Sequence, residues 1–339
     1  GGGYVNAFTG KELTCFYVHV LDEQLPTAVD ILSDILANSL FDSAAMDREK
    51  QVILDEIRDV QDSPDELSHE LFIQAVFEPH SLARPILGLP ENILRFTREH
   101  LLDFIQTHYS PPRVLVAAAG QVDHRTLTRL IREKLTLPPG ESCSDGGTPA
   151  PMVVKKRLQQ RAIQQAHVCV GGRALPYRDK RRYPLSVLNT ALGGGMSSRL
   201  FQNIREKHGI AYSIYSFADL LSDTGLIGVY YATDASRVDK ALELVMNEFR
   251  ALKEKPLTPV ELQGIKTQLK GNIMLALEQV PNRMNRVAKT EIYLGDYVDI
   301  AEISRQIDAV TSRQVRDLTH ELFDEENLTT MILEPNHQE

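Results

Sequence analysis

Hydrophobic and polar positions along the chain follow two different periods. Strand patterns are found over 4–8, 14–20, 165–170, 210–217 and 226–232, with a clear period of two over 14–20, and a short apolar run predicts a sixth strand over residues 114–119. Apolar residues recurring every three or four positions predict helices over 25–40, 47–61, 66–77, 91–96, 98–108, 183–192 and 236–253. Two further helix starts are indicated by the capping-box spacings of Thr258 with Glu261 and Thr311 with Gln314.

The two halves of the chain repeat one order of elements. A strand followed by the segments 26–36 and 41–56 in the first half is matched by a strand followed by 239–249 and 257–272 in the second. Between the halves, residues 139–151 are rich in Pro, Gly and Ser, which is typical of a linker. We therefore predict an α+β fold with two homologous domains, each an antiparallel sheet with helices packed on one face. The predicted limits are 1–138, a linker over 139–154, and 155–339.

Length, charge and cysteine content narrow the possible functions. A chain of 339 residues is long enough for two domains, and its net charge of −9, without a basic cluster, argues against a nucleic-acid partner. The three cysteines form no CxxC pair, so they indicate neither a disulfide framework nor a cysteine zinc site. No apolar run is long enough to span a membrane. The opening Gly1-Gly2-Gly3 reads as a turn entering a strand in mid-domain, so we expect the chain to be truncated at its N-terminus.

The helix predicted over 47–61 carries two unusually placed acids. Glu49 and Glu56 are two turns apart and project from the same side as the apolar stripe that we expect to face the core. A carboxylate there is costly without a cation or a donor. Either both acids reach water or an arginine at the edge of the stripe, or one is a metal ligand and the other a supporting acid. The equivalent residues of the second half are Ile265 and Asn272, so the acids are not required by the repeated fold.

Four segments, in this order, resemble the pitrilysin/insulinase zinc metallopeptidases, most closely the two-domain bacterial and mitochondrial-processing type. They are YVNAFT at 4–9, DRE…DE at 47–56, GGGMSSRLF at 193–201 and REKHGIAY at 205–212. Members of that family hold zinc with a His-x-x-Glu-His motif, which does not occur in this sequence and whose place in the family pattern lies upstream of Gly1. The resemblance thus implies a first domain without its first strand and its zinc-motif helix. The glycine run at 193–195 lacks a phosphate-loop continuation and is either the family's glycine-rich turn or a flexible connector.

The resemblance implies a role for each matching residue. Glu56 matches the third zinc ligand and Glu49 the acid that supports the site. Asn6, Ala7 and Phe8 match the edge strand onto which a substrate peptide is added, although an ordinary edge strand would look the same.

Two residues of the second half match the pair that acts on the substrate. Tyr212 would hydrogen-bond the scissile carbonyl or its oxyanion, and Arg205 would bind the substrate backbone. An arginine and a tyrosine at that spacing can also be purely structural.

These matches lead to one preferred function and two alternatives. The resemblance implies a zinc metalloendopeptidase that hydrolyses peptides or unfolded segments in a chamber between two domains, as a homodimer or as a heterodimer with a related subunit. By itself, the 339-residue chain is expected to be inactive because it lacks two zinc-binding histidines. The alternatives are a non-catalytic partner or core subunit that binds peptides or proteins without hydrolysis, and a pure peptide-binding module.

Overall fold

The computed structural model describes residues 2–141 and 155–336, which fall into two compact units. Unit 1 consists of the described residues of Gly1–Arg58, Ile86–Gly146 and Ala276–Tyr297. Unit 2 consists of those of Asp59–Pro85, Gly147–Leu275 and Val298–Glu339. The division of the chain into domains 1–138 and 155–339 stays a prediction, and residues 142–154 of the predicted linker lie outside the described residues.

Seven strands and twelve α-helices make up the described chain. The strands are β1 (Tyr4–Thr9), β2 (Thr14–His19), β3 (Lys156–Arg161), β4 (Ala166–Ala174), β5 (Ser213–Leu220), β6 (Gly225–Thr233) and β7 (Thr329–Pro335). The first six helices are α1 (Leu25–Ala37), α2 (Ser43–Asp62), α3 (Pro64–Phe77), α4 (Pro90–Arg95), α5 (Arg98–His108) and α6 (His124–Lys134). The others are α7 (Arg182–Gly193), α8 (Val238–Glu254), α9 (Pro259–Ala276), α10 (Val280–Leu294), α11 (Ile300–Ala309) and α12 (Ser312–Leu322).

Local sequence signals explain where several helices begin and end. Thr97 and Thr311 each accept a hydrogen bond from the third residue of the helix that follows, α5 and α12, and each forms a complete capping box. Asp123 caps α6 in the same way through the backbone N–H of Thr126, at 2.8 Å. Gly295 ends α10 in the left-handed conformation that glycine adopts at little cost.

Unit 1 contains the hairpin of β1 and β2 and the helices α1, α4, α5, α6 and α10, together with most of α2. Its small core includes Val29 of α1, Ile93 of α4 and Leu130 of α6. Lys134 of α6 and Asp30 of α1 form an ion pair at 2.8 Å across the surface where these helices pack.

Unit 2 is built on a five-stranded sheet with the order β3-β7-β4-β6-β5. Every pair is antiparallel except the edge pair of β3 with β7. Along β4, alternate residues face opposite sides of the sheet. Val168 and Val170 join a core with Leu188 of α7, Val245 of α8 and Leu318 of α12. The predicted α+β class, with helices packed on a sheet, is confirmed.

The opposite face of this sheet is covered by α3. Phe72 and Val76 of α3 pack there against a buried set that includes Cys169, Tyr230 and Met331. The sequence pattern did not predict this second layer, because it relates α3 to its neighbours in the chain rather than to a sheet about 100 residues later.

Two expectations from the sequence are wrong for the described residues. No strand forms over 114–119, and Leu115 and Val116 are exposed in irregular backbone. An extended segment needs a neighbouring strand to satisfy its backbone groups, and the described part of unit 1 offers only the hairpin. The side of α2 that carries Glu49 and Glu56 does not face a core either: none of the residues of α2 is buried, and Val52 is 48% exposed.

Candidate functional site

The predicted substrate-binding residues lie on an exposed hairpin in unit 1. Asn6, Ala7 and Phe8 are consecutive in β1, which pairs with β2 so that Asn6 lies opposite Tyr17. Within the described ranges, β1 has no strand partner other than β2, so the backbone groups along its other edge are not paired with a strand. The backbone N–H of Ala7 donates to Oδ1 of Asn6 at 2.8 Å, and a peptide bonded to this N–H would displace the Asn6 side chain.

Aromatic side chains surround Asn6 on one face of the hairpin. The rings of Tyr4 and Phe8 lie 6.1 and 6.2 Å from that of Tyr17, measured between centroids, and Nδ2 of Asn6 donates to the Tyr4 hydroxyl at 2.5 Å. A strand added to β1 would continue the pleat, so its alternate side chains would lie beside these rings. The face therefore suits a peptide with apolar side chains at alternate positions.

The two acids predicted to serve a metal site lie on α2. Glu49 and Glu56 are both exposed, and neither carboxylate has a hydrogen-bond or ion-pair partner among the described residues. A catalytic zinc requires three protein ligands, and residues 2–141 and 155–336 contain no cluster of three or more His, Cys, Asp or Glu that could hold a metal. The described residues thus do not form a complete zinc site by themselves. Glu56 is accessible and could supply one of the ligands.

Arg205 and Tyr212 flank a turn in unit 2. Arg205 lies in a π-helical segment, Phe201–Lys207, and its guanidinium stacks over the ring of Phe201 at 4.7 Å. Tyr212 directly precedes β5; its backbone N–H donates to the carbonyl of Ala232 at 2.9 Å. Its side chain is 54% exposed, and its hydroxyl lies 3.4 Å from the carboxylate of Asp234. The strand was predicted to begin at residue 210, but the turn extends to Tyr212.

The predicted site residues are therefore found in both units. Unit 1 brings Asn6, Ala7 and Phe8 together on one strand and holds Glu49 and Glu56 on one side of one helix. Unit 2 presents Arg205 and Tyr212 on the two sides of one turn. Their roles stay predictions.

The glycine run at 193–195 is not a flexible connector. Gly193 is the buried last residue of α7, and a Cβ on it would lie 2.1 Å from the backbone nitrogen of Ser216 in β5. Only glycine allows α7 and β5 to approach this closely. Gly195 has a φ of +140°, a conformation that side chains rarely adopt.

A cluster of titratable groups in unit 2 was missed by the sequence analysis. Nε2 of His69 in α3 lies 2.9 Å from the hydroxyl of Tyr215, and the His69 ring stacks on Tyr230 at 5.2 Å. Nδ1 of His167 lies 2.8 Å from the Tyr230 hydroxyl. Burial lowers the pKa of both histidines, and the charge of Asp65 opposes this effect. Asp65 and His69 have the i, i+4 spacing of one helix face, but no signal in the sequence relates them to the later strands.

Burial also governs the other groups beneath α3. It raises the pKa of Tyr230, and it raises the pKa of the Cys169 thiol to about 12, although Ser68 lies 3.9 Å from the sulfur and acts in the opposite direction. Cys169 is thus a buried neutral thiol at physiological pH, which is typical of a structural cysteine.

No helix among the described residues has both the length and the apolar character needed to cross a membrane.

Comparison with known proteins relates the whole chain to one peptidase family. The family models for "Insulinase (Peptidase family M16)" and "Peptidase M16 inactive domain" match residues 1–89 and 95–269. A protein of Bacillus subtilis described as an uncharacterized zinc protease is 35% identical over 331 residues, covering 98% of this chain and 81% of the relative. A protein of Streptomyces coelicolor with the same description is 37% identical over 335 residues, covering 95% and 72%.

Solved structures agree on the fold. A protease from Helicobacter pylori superposes with a TM-score of 0.90 at 18% identity, covering 98% of this chain and 82% of that one. A peptidase M16 inactive domain from Pseudomonas fluorescens also gives 0.90 at 18% identity, with coverage of 99% and 81%. Because the family models match most of the chain and the relatives align over nearly all of it, this chain belongs to peptidase family M16, the insulinase family.

Proposed function

We propose that this chain forms the greater part of a zinc-dependent peptidase that acts on peptides or unfolded segments. In this proposal β1 binds the substrate as an added strand, and Glu56 supplies one zinc ligand with Glu49 as its supporting acid. Arg205 binds the substrate backbone, and the Tyr212 hydroxyl donates to the scissile carbonyl. The remaining zinc ligands would come from a His-x-x-Glu-His segment that the sequence of 339 residues does not contain.

The exposed acids on α2 are the observation that carries the proposal. Glu49 and Glu56 have no partner among the described residues, and they share their side of the helix with Val52, Ile53, Ile57 and Val60. An acid used only for solubility would be expected among the other charges of α2 rather than within an apolar stripe. The naming of relatives 35% and 37% identical as zinc proteases supports the same interpretation.

The second candidate is a non-catalytic relative that binds peptides or proteins without hydrolysis. The match of residues 95–269 to a domain described as inactive favours it. The two candidates differ in what they predict for zinc, because only the peptidase requires Glu56 to contact a metal. Both candidate functions include association into a homodimer or into a heterodimer with a related subunit. Sedimentation analysis of the purified protein tests this association.

The experiment compares the 339-residue chain with the protein expressed from its complete gene. After dialysis, the chain should retain substoichiometric zinc and hydrolyse no peptide, since one carboxylate cannot hold a catalytic zinc. In the complete protein, Glu56→Gln should remove zinc and activity together, whereas Glu49→Gln should reduce activity more than zinc content.

Asp47→Asn is the matched control, because Asp47 lies on the opposite side of the same helix and should affect neither zinc nor activity. Tight stoichiometric zinc in the 339-residue chain would refute the need for further ligands. A complete protein whose zinc content is unchanged by Glu56→Gln would refute the ligand assignment, and a complete protein that binds no zinc would favour the non-catalytic candidate.

A further inference from the structure

Glu248 is a carboxylate within the buried stripe of α8. It follows Ala241 and Val245 and precedes Leu252 at helical spacing, and all three neighbours are at most 2% exposed. Glu248 itself is only 9% exposed. A carboxylate in an apolar stripe costs stability unless its oxygens accept hydrogen bonds. We therefore expect a hydrogen-bond donor beside Glu248.

That partner is the side-chain amide of Asn203, whose Nδ2 donates to Oε1 of Glu248. Asn203 belongs to the π-helical segment Phe201–Lys207 and lies two residues before Arg205. The next residue, Ile204, is fully buried in the main core of unit 2. The segment is therefore attached to the body of unit 2 at two adjacent residues, one by a polar contact and one by an apolar contact.

The turn that follows the π-helical segment is held by hydrogen bonds to backbone carbonyls of that segment. His208 donates to the carbonyl of Asn203 at 3.2 Å, Gly209 to that of Arg205 at 3.1 Å and Ile210 to that of Ile204 at 3.2 Å. Gly209 takes a φ of +58°. The wider π-helical turn changes the direction in which side chains project, and such turns are frequent at functional sites.

Arg205 is left exposed by this arrangement. Its guanidinium lies over Phe201 and has no carboxylate partner among the described residues, although the chain as a whole is acidic. A planar fork of donors held in place, but not neutralised, suits an oxygen acceptor on a ligand, such as a peptide carbonyl or carboxylate. Holding the arginine before the ligand arrives reduces the entropy lost on binding.

We propose that Glu248 is a positioning residue: through Asn203 it fixes the π-helical turn that presents Arg205 to an oxygen of the bound peptide. This inference rests on the proposed function for the role of Arg205, but the hold of Glu248 on the turn can be tested separately.

The test uses the 339-residue chain, two readouts and matched variants. Hydrogen exchange at the amides of residues 208–210 reports the turn, and the fluorescence anisotropy of a labelled, unstructured decapeptide reports binding. Glu248→Leu removes the acceptor at similar size and should speed exchange at these amides and weaken peptide binding roughly tenfold, as Arg205→Ala should. Glu248→Gln keeps an acceptor oxygen and should restore both to near wild-type values.

Two controls separate positioning from general destabilisation. Val245→Ala opens a cavity in the same helix and should lower the melting temperature without changing exchange at 208–210 relative to the rest of unit 2. In an Arg205→Ala background, Glu248→Leu should weaken peptide binding no further. If Glu248→Leu does not fold, Asn203→Ala takes its place, because it removes the same hydrogen bond by changing the partly exposed donor.

Each outcome decides between the two claims. The positioning role would be overturned if hydrogen exchange at residues 208–210 were equally fast in the Glu248→Leu and Glu248→Gln proteins. It would also be overturned if exchange there were as fast in Val245→Ala as in Glu248→Leu. If exchange responds as expected but Arg205→Ala binds the peptide as tightly as wild type, the hold of Glu248 on the turn stands and the proposed role of Arg205 in substrate binding fails.

Discussion

Replacing Gly193 by alanine tests whether the glycine run is a packing requirement. The added Cβ would lie 2.1 Å from the backbone nitrogen of Ser216, and 2.7 and 2.8 Å from its Oγ and Cβ, whereas ordinary contacts are 3.4–4 Å. The end of α7 and the middle of β5 must therefore separate by more than about 1 Å, and a packed interior resists such a shift. The obstacle is backbone, so no side-chain rotation can relieve it.

The expected loss follows from this geometry. Overpacking usually costs about 1–3 kcal/mol, and we expect the upper end, about 3 kcal/mol, because a strand has to move. For a domain of this size that corresponds to a melting temperature lower by about 6–12 °C. The hydrogen bond from Ser216 Oγ to the Asn189 carbonyl, 2.8 Å long, would be stretched by the same movement.

Gly264 provides a control with the opposite sign. It lies in the exposed interior of α9, and a Cβ there would have no atom within 4 Å. Gly264→Ala should therefore raise stability by about 0.5–1 kcal/mol, because alanine favours the helix more than glycine does. Urea unfolding followed by circular dichroism, with thermal melts beside it, measures both changes. A Gly193→Ala protein as stable as wild type would refute the close approach of α7 and β5, and with it the packing role of the glycine.

Three further predictions concern groups in unit 2. The pKa of His69 is lowered in the folded state, so its neutral form is favoured there, and stability should be full above about pH 6.5 and fall as the pH decreases below it. Urea titrations at pH 7.5 and 5.5 should show a smaller acid loss in His69→Phe than in wild type; an equal loss would contradict the assignment. If the complete protein is the zinc peptidase proposed above, its Tyr212→Phe variant should have a kcat lower by roughly ten- to a thousand-fold with KM nearly unchanged, and a wild-type kcat would exclude a transition-state role for the hydroxyl. Cys169 should resist alkylation at pH 8 in the native protein and react once urea unfolds it, because its thiol is buried and neutral; rapid native labelling would argue against the packing of α3.

Much of the local structure could be predicted from the sequence because its causes are local. The capping boxes at Thr258 and Thr311 depend on residues three positions apart, and both form as expected. The strands over 4–8 and 226–232 and the helix over 236–253 follow from short-range patterns of apolar residues, and the structure has an element at each place. The four ordered motifs also identified the family, which the comparisons confirm.

The environment of the predicted site residues depends on contacts with distant parts of the chain. Spacing placed Glu49 and Glu56 on one side of α2, which the helix requires. It could not decide whether that side is buried, because burial depends on what other parts of the molecule cover it. The same reason accounts for residues 114–119, where a suitable apolar run remains irregular without a neighbouring strand.

The sequence alone therefore determined the family, the α+β class, most of the helices and strands and the residue types available for chemistry. Only the tertiary structure placed α3 on the second face of the sheet, enclosed His69 among aromatic rings and brought Glu248 to Asn203, 45 positions away in the sequence. The physical reason is the range of the interactions involved. Helix caps and periodicity act over a few residues, whereas burial, close approach and a shared hydrogen bond between distant residues exist only after the chain has packed.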